Sequence, residues 1–295
     1  MTALQRQDVL AVVVTYNPDG ALAHNLAALR EQFAHVLVVD NGSGNVDAVR
    51  VAAAACGCAL VCNPVNLGIA VALNQGVDAL LSGSFEWLAT FDQDSLLPDG
   101  CVDGLFAVRA AYPNAERIGI LAMAHRDRGT NADYHHRWDI IRETPAWRLL
   151  RVTITSGSLV RREVFKQVGR FENRLFIDGV DHEFCLRVRS HGWQVVEARG
   201  HVMPHSIGAS TVTRFLGLSV VCTHHSPLRR YYMVRNHLEV CRRNLWFDPV
   251  WASKTFVQVV SGALAAVLCE QRKFAKLRAV LLGVAHFLAR RFGPR

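Results

Sequence analysis

This 295-residue sequence lacks most of the features that would assign a class at a glance. Its eight cysteines contain no CxxC pair, which argues against a redox dithiol and points to reduced thiols in a cytosolic protein. The first eight residues hold no apolar core of the kind a secretory leader needs, so export is not expected. No uninterrupted apolar run near the C-terminus reaches the roughly 18 to 20 residues of a membrane span, so none is expected. The glycine fingerprint of a dinucleotide fold is missing: the first strand-like run is followed by Thr-Tyr-Asn-Pro-Asp-Gly. A Walker A motif is missing too, as are repeats and low-complexity stretches. What remains is an ordinary globular composition, 51% hydrophobic and 20% charged, far too apolar for a disordered chain.

The formal charge of +8 is unevenly placed. Residues 226–295 hold 13 Lys and Arg against 3 Asp and Glu, whereas residues 1–225 are slightly acidic. The C-terminal cations flank apolar helical stretches instead of interleaving with aromatics over a groove. That pattern argues against nucleic acid as a partner and for the anionic face of a membrane, with a helical cap or dimer interface as the alternative.

Along the chain, residues 9–14, 36–39, 59–62 and 87–91 read as strands, the first of them a continuous β-branched run suited to a strand covered on both faces. Helical spacing separates them, so the first hundred residues predict a parallel α/β sheet. A polar cluster follows each strand: Thr15-Tyr16-Asn17, Asp40-Asn41, Asn66-Leu67-Gly68 and Asp92-Gln93-Asp94. Ligands of open α/β sheets bind beyond those strand ends, and four clusters in a row define a candidate site. Beyond residue 100 the pattern loosens. Residues 118–123 and 152–154 read as further strands, and 124–151 as a flexible or substrate-facing loop. The last seventy residues are helical, with Phe256, Val259, Val260, Ala263, Leu264, Val267 and Leu268 along one apolar face.

Asp92 and Asp94, one residue apart after a buried strand, suit a hard divalent cation shared with phosphate oxygens. An isolated pair of this kind is also a common turn. Asp178, Asp181 and Glu183 cluster where a helix begins; there they either cap it or provide a general base. His205, with His201 as its competitor, offers a further metal ligand. Arg229 is placed to touch a diphosphate or an acceptor, or simply to ride a basic amphipathic helix. Cys56, Cys58 and Cys62 lack zinc spacing and read as strand-core thiols. His135-His136 and His224-His225 read as solvated pairs.

In order, Thr15-Tyr16-Asn17, Asp40-Asn41-Gly42-Ser43, Asn66-Leu67-Gly68, Asp92-Gln93-Asp94 and Phe-Ile-Asp178-Gly-Val-Asp181-His-Glu183-Phe-Cys-Leu-Arg187 resemble the motifs of family 2 glycosyltransferases, over roughly residues 9 to 245. The Asp-Gln-Asp form, with the 176–187 segment and the later Arg-Tyr-Tyr-x-x-Arg-Asn, is most similar to the bacterial dTDP-rhamnosyltransferases of that family. The resemblance implies a Rossmann-like GT-A fold and inverting transfer from a nucleoside diphosphate sugar, dTDP-L-rhamnose in the first instance. Residues 1–225 would form the catalytic domain, with a nucleotide half to about residue 100 and an acceptor half after it. Residues 226–295 would form a basic helical extension.

By position, the resemblance puts Thr15, Asp40 and Asn66 around the pyrimidine nucleoside, with Tyr16, Asn17, Gly68, Gln93 and Arg229 on the donor. Asp92 would face ribose and metal, Asp94 would ligate Mg²⁺ or Mn²⁺, and His205 would be a third ligand. Asp181 would be the catalytic base. The family's Glu-Asp pair reads Val180-Asp181 here, so the glutamate is missing. The expected acceptor is a lipid-linked cell-surface glycan, met at the inner face of the cell membrane, and a homo-oligomer is allowed. The competing readings are the same fold with a UDP-sugar, or an inactive sugar-nucleotide-binding scaffold. The Gln-x-x-Arg-Trp motif of processive synthases is absent, which argues for limited sugar additions.

Overall fold

A computed structural model describes residues 4–127, 133–205, 211–215 and 218–295, without the side chains of 205 and 212–221. Strand β1 (Val9–Thr15) is buried along its whole length, as its unbroken apolar run predicts. After it come α1 (Leu22–Gln32), β2 (His35–Asp40), α2 (Val46–Ala55), β3 (Ala59–Cys62), α3 (Ile69–Ser82) and β4 (Trp87–Asp92). These elements match the sequence reading to within a residue or so. Strands β1 to β4 are parallel in the order β3-β2-β1-β4. The chain therefore steps outward from β1 on one side and returns on the other. That reversal opens a crevice beyond the C-terminal ends of β1 and β4.

The second half extends this sheet. It holds α4 (Cys101–Ala111), β5 (Ile118–Asp127), β6 (Ile140–Glu143), β7 (Trp147–Leu150), β8 (Ser158–Arg161), α5 (Arg162–Val168), α6 (Val180–Ser190) and β9 (Gln194–His205). The full nine-stranded order is β3-β2-β1-β4-β8-β5-β9-β7-β6, with β8 antiparallel to both β4 and β5. A separate hairpin pairs β10 (Thr211–Phe215) with β11 (Leu218–Cys222). Helices α7 (Pro227–Asn244), α8 (Pro249–Leu268) and α9 (Lys273–Leu288) complete the chain.

Two apolar cores sandwich the sheet. Leu10, Val12 and Val14 face one and Val9, Ala11 and Val13 the other, the period of two that a strand imposes. Helix α3 packs close because Gly76 lies against Val12, where a Cβ would stand 2.6 Å from a valine methyl. Helix α7 starts cleanly, with Ser226 Oγ accepting from the Arg229 amide and Pro227 in the first turn. Helix α9 reaches the α7 backbone through Gly283, whose added Cβ would sit 2.9 Å from the Tyr231 carbonyl. Asp248 caps α8 and holds Arg151, just after β7, and Arg189 of α6, at 2.6 and 2.8 Å.

Several expectations need correction. The described part of 124–151 is not simply a loop: it holds the end of β5 and the β6–β7 hairpin, and β7 zips antiparallel onto β9. His135 is buried, with Nε2 2.8 Å from Glu197 Oε2, in an interior that Arg148 shares. Residues 152–154 lack strand geometry and bridge β7 to β8. Cys56, Cys58 and Cys62 are free and only half-buried. The apolar face of α8 points outward: Phe256, Val260, Leu264 and Leu268 are exposed while Trp251, Ala252, Ala265 and Ala266 pack inward. Helix α8 is also long and apolar enough to cross a membrane by length and composition, with a mean hydropathy of 1.3. The sequence reading missed it because Lys254 and the polar residues interrupt the run.

Candidate active site

The crevice beyond β1 and β4 is a cleft of about 440 Å³, lined among others by Tyr16, Asn66, Gly68, Asp92, Gln93, Asp94 and Arg229. Seven of the predicted site residues thus converge. Its wall also includes Asn41, Phe176 and Ile177. Thr15 and Asp40 lie beneath it, fully buried. Asp40 accepts from Thr15 Oγ1 at 3.0 Å and from the Ser43 amide at 3.0 Å, and Ser43 Oγ also donates to it. These bonds leave one of about four acceptor positions on that carboxylate. Asn17, held in the left-handed region at φ 48°, bonds Ser43 and Gly44 and thereby staples the first two strand-end turns together.

The third turn is bound to the others by amides. Asn41 donates to Asn66 Oδ1 at 3.1 Å and accepts from the Leu67 amide at 3.1 Å. Gly68 has φ 89°, and a Cβ there would lie 2.6 Å from the Phe176 ring and 2.7 Å from its carbonyl. Only glycine lets the two halves of the sheet meet at this point. On the far side, Phe176, Asp178 and Gly179 all have positive φ. Of these, Phe176 and Asp178 carry side chains and so store strain immediately before α6, while Gly179 takes the conformation freely. Asn236 of α7 restrains that bend: its Nδ2 lies 2.7, 2.7 and 2.9 Å from the carbonyls of Leu175, Ile177 and Asp178.

The carboxylates sit around this frame. Asp92 is pushed up to about 6, first by burial and then by the charges of Asp94 and Asp181, against the pull of Arg229. Asp181 stands in the first turn of α6, where its Oδ1 accepts from the His182 amide at 2.8 Å. Asp178 is recessed and raised by burial, with Arg229 Nε 3.3 Å from its Oδ1. Glu183 is structural: buried, it pairs with Arg187 at 2.8 Å. Val180, where the family has its glutamate, is in the core. Arg235 is buried under α7, bonded to the carbonyls of Gly293 and Leu175. Arg229, just before that segment, reaches the cleft, and Arg235 within it holds the fold.

Tyr134, from the stretch read as a loop, was missed. Burial and the charges of Asp181 and Asp92 raise its phenol. No local pattern marks it; the β5–β7 excursion brings it there. His205 ends β9 opposite Asp127, and its side chain lies outside the described residues. His201 packs on Gly104 of α4. Among the described residues, no three His, Cys, Asp or Glu side chains converge into a closed metal shell. The donor set nevertheless fits a hard cation: Asp92 and Asp94, with Asp181 near, would repel a diphosphate unless a divalent ion lay between them. Asp92 and Asp94 are the residues that would hold it.

Residues 10–169 match the glycosyl transferase family 2 model. The chain is a family 2 glycosyltransferase. This transferase is 34% identical over 259 residues to the dTDP-rhamnosyl transferase RfbF of Shigella flexneri, covering 80% of this chain and 81% of the relative. It is 28% identical over 239 residues to the N-acetylglucosaminyl-diphospho-decaprenol L-rhamnosyltransferase of Mycobacterium tuberculosis, covering 69% and 78%. Its fold is shared with the solved GalNAc-T7 complex with UDP, GalNAc and Mn²⁺, at TM-score 0.59 and 13% identity, over 95% of this chain and 56% of that one. S. aureus TarS bound to UDP-GlcNAc has it too, at TM-score 0.55 and 13% identity, over 96% and 81%. The GT-A reading of the transferase therefore holds, helical extension included.

Proposed function

We propose that the enzyme moves L-rhamnose from dTDP-L-rhamnose, with inversion, onto a hydroxyl of a lipid-linked glycan. The observation that carries this reading is the relationship to RfbF over four-fifths of the chain; the second relative's lipid-diphosphate acceptor supports the acceptor class. Residues 1–225 would do the chemistry and 226–295 would serve as the basic extension. In the proposed step Asp181 takes the proton of the acceptor hydroxyl. That oxygen bonds C1 from the face opposite the diphosphate, and the C1–O electron pair leaves with the diphosphate. Tyr16, Asn66, Gly68 and Gln93 line the donor's cleft, Thr15, Asn17 and Asp40 brace it, and Arg229 offers a cation to the diphosphate. Mg²⁺ or Mn²⁺ on Asp92 and Asp94, with His205 as a third ligand, would supply further neutralisation of the leaving group.

The exposed apolar side chains of the extension support contact with the inner face of an anionic membrane. Trp246 is 92% and Phe274 90% exposed, and Lys254, Arg272, Lys273 and Arg278 of the same extension are exposed too. Lys276 does not contribute, being buried on Glu270, and Arg290 is held by Glu239. Basic side chains rimming exposed apolar ones fit lipid headgroups and acyl chains together.

The test is product formation with dTDP-L-rhamnose, UDP-glucose, UDP-galactose and UDP-GlcNAc, each with an N-acetylglucosaminyl diphospho-lipid. Turnover confined to a UDP-sugar would replace the donor, and nucleotide binding without turnover of any donor would make the protein a scaffold. Sedimentation with phosphatidylglycerol vesicles should fall for a Trp246→Ser, Phe274→Ser double variant; unchanged sedimentation would remove the membrane contact.

A further inference from the structure

The sheet edge that carries the donor cleft continues past Asp181. Strand β4 is parallel to β1, and β5 runs the same way as β4 because β8 between them is antiparallel to each. Strand β9 is parallel to β5, so the C-terminal ends of β1, β4, β5 and β9 share one edge. Along it the donor cleft opens at β1 and β4. Asp181 comes next, bordering a small void with Thr90 of β4 and Ser158 of β8. Beyond it lies a separate cavity of about 380 Å³, with Arg126 of β5, Arg148 of β7, Arg199 of β9, Asp133 and Pro145 among its lining. It shares no lining residue with the donor cleft.

Its arginines stand on the same side of the sheet as Asp181. Ile120, Leu150 and Val195 pack into the core that also holds Val180 and Phe184 of α6. Arg126, Arg148 and Arg199 lie an even number of positions from them on β5, β7 and β9, and so on the face that α6 covers. Arg148 is 8% exposed and already neutralised. It pairs with Asp133, with Glu143 at 3.1 Å and with Glu197 at 3.2 Å, and His135 takes the other Glu197 oxygen at 2.8 Å. Asp133 is the one carboxylate among the described lining residues, and Arg148 holds it. Arg199, half-buried, is oriented by donating from Nη1 to the Thr144 carbonyl at 2.8 Å, and Arg126 is exposed. Among the described residues neither of these two guanidinium groups meets a carboxylate. The cavity thus offers two cations without counter-charge over a neutralised floor. A diphosphate diester carries two negative charges, and guanidinium forks suit its oxygens.

We propose that this cavity holds the diphosphate of the acceptor, while the sugar attached to it lies along the sheet edge with its hydroxyl at Asp181. The proposal rests on the transfer reading above and adds to it where the charged linker of the acceptor binds. Two strand spacings of about 4.8 Å separate β8 from β9, on the order of 10 Å, the reach from a ring hydroxyl across a pyranose to a diphosphate on its first carbon. Donor, base, acceptor sugar and acceptor diphosphate then follow one another along the edge. The acceptor hydroxyl comes to the donor from the opposite end of that line, as inversion requires.

An Arg126→Gln, Arg199→Gln double variant of the full-length protein tests this, since neither arginine lines the donor cleft or joins the ion pairs of Arg148. Two acceptors are compared with dTDP-L-rhamnose: an N-acetylglucosaminyl diphospho-lipid, and octyl N-acetylglucosaminide, which has the sugar without the diphosphate. For the first, kcat/KM should fall about tenfold or more; for the second it should stay within about twofold of wild type. Arg126→Gln alone, at an exposed position, should show a smaller loss in the same direction, and Arg199→Lys should keep part of the preference.

An unchanged ratio between the two acceptors, whether both hold or both fall together, would overturn the site. Calorimetry with farnesyl diphosphate, with excess dTDP filling the donor cleft, reads the cavity without turnover. Binding that the double variant weakens about tenfold or more supports it, whereas equal binding by both proteins, or none by wild type, overturns it. Phosphatidylglycerol vesicles separate the acceptor from lipid headgroups: a double variant that loses sedimentation with them but keeps its acceptor kinetics would assign the cavity to headgroups and end the proposal. A wild type inert toward dTDP-L-rhamnose would sink the donor reading alone, and calorimetry would still decide the cavity.

Discussion

The two sides of Asp181 are built in opposite ways. The donor cleft is made of four short turns at the ends of neighbouring strands, each a few residues of contiguous sequence. The wall opposite is assembled from the bend before α6, α6 itself and α7, which are distant from the turns in sequence, and it is held by single side chains such as Asn236. A cleft of local turns is robust in layout and tolerant in detail. A wall of distant helices depends on a few long-range hydrogen bonds, and damage to one should spread.

The largest expected effect lies at the junction. Asp181→Asn keeps the size and the helix position but cannot take a proton, so kcat should drop by about 10²- to 10⁴-fold, with nucleotide affinity retained. Turnover near wild type would reassign the base, with Asp178 next in line.

Gly68→Ala comes second because it strikes where the two sides touch. Its Cβ would meet Phe176 backbone and ring in a left-handed conformation, so a loss of about 1–3 kcal/mol and weakened nucleotide binding are expected, measured by urea melts and nucleotide titration. A neutral result would mean that the Phe176 bend yields readily and that the two sides are less tightly coupled than their contacts imply.

Asn236→Ala should cost about 1–3 kcal/mol, since the carbonyls of Leu175, Ile177 and Asp178 lose their shared donor. It should lower kcat more than donor affinity, because Asp181 follows that bend directly. Equal loss of both would show that the helical wall also organises the donor cleft.

The effect that is smallest at neutral pH is a pH dependence. His237 titrates near 4 when folded and near 6.5 when unfolded. The unfolded chain therefore binds the extra proton first, and stability present above pH 6.5 is lost as pH falls toward 4. The facing charged and titratable groups are His182 and Asp181. His237→Phe should flatten the loss over that window in thermal melts; an unchanged slope would place the acid sensitivity elsewhere.

Legibility followed the same division. The strands β1, β2 and β4 were readable because a strand buried on both faces must be a continuous apolar run, and its turn must begin where that run stops; the edge strand β3, half-exposed, was read from its short apolar run and the turn after it. Asp92, Asp94 and Asn66 were found by that rule alone. Tyr134 was not, since β6 and β7 are four residues each and the pairing of β7 with β9 is non-local. The buried His135–Glu197 pair looked like a polar loop because burial of a charge leaves no periodic mark on the sequence. The outward turn of α8 was hidden too: a helix stripe announces that it is apolar, not whether protein or something else covers it.

The sequence by itself determined the parallel first half of the sheet, its row of strand-end turns, the acidic pair at the end of β4 and the concentration of positive charge after residue 226. These are written in contiguous residues, where apolar periodicity and turn chemistry act over a few positions. Tertiary structure alone decided that Asp40 lies beneath the cleft and that Glu183 and Arg235 hold the fold. It also decided that Lys276 is buried on Glu270. Each depends on which distant side chain arrives as partner, and burial, not residue type, sets whether a charge binds, braces or faces water.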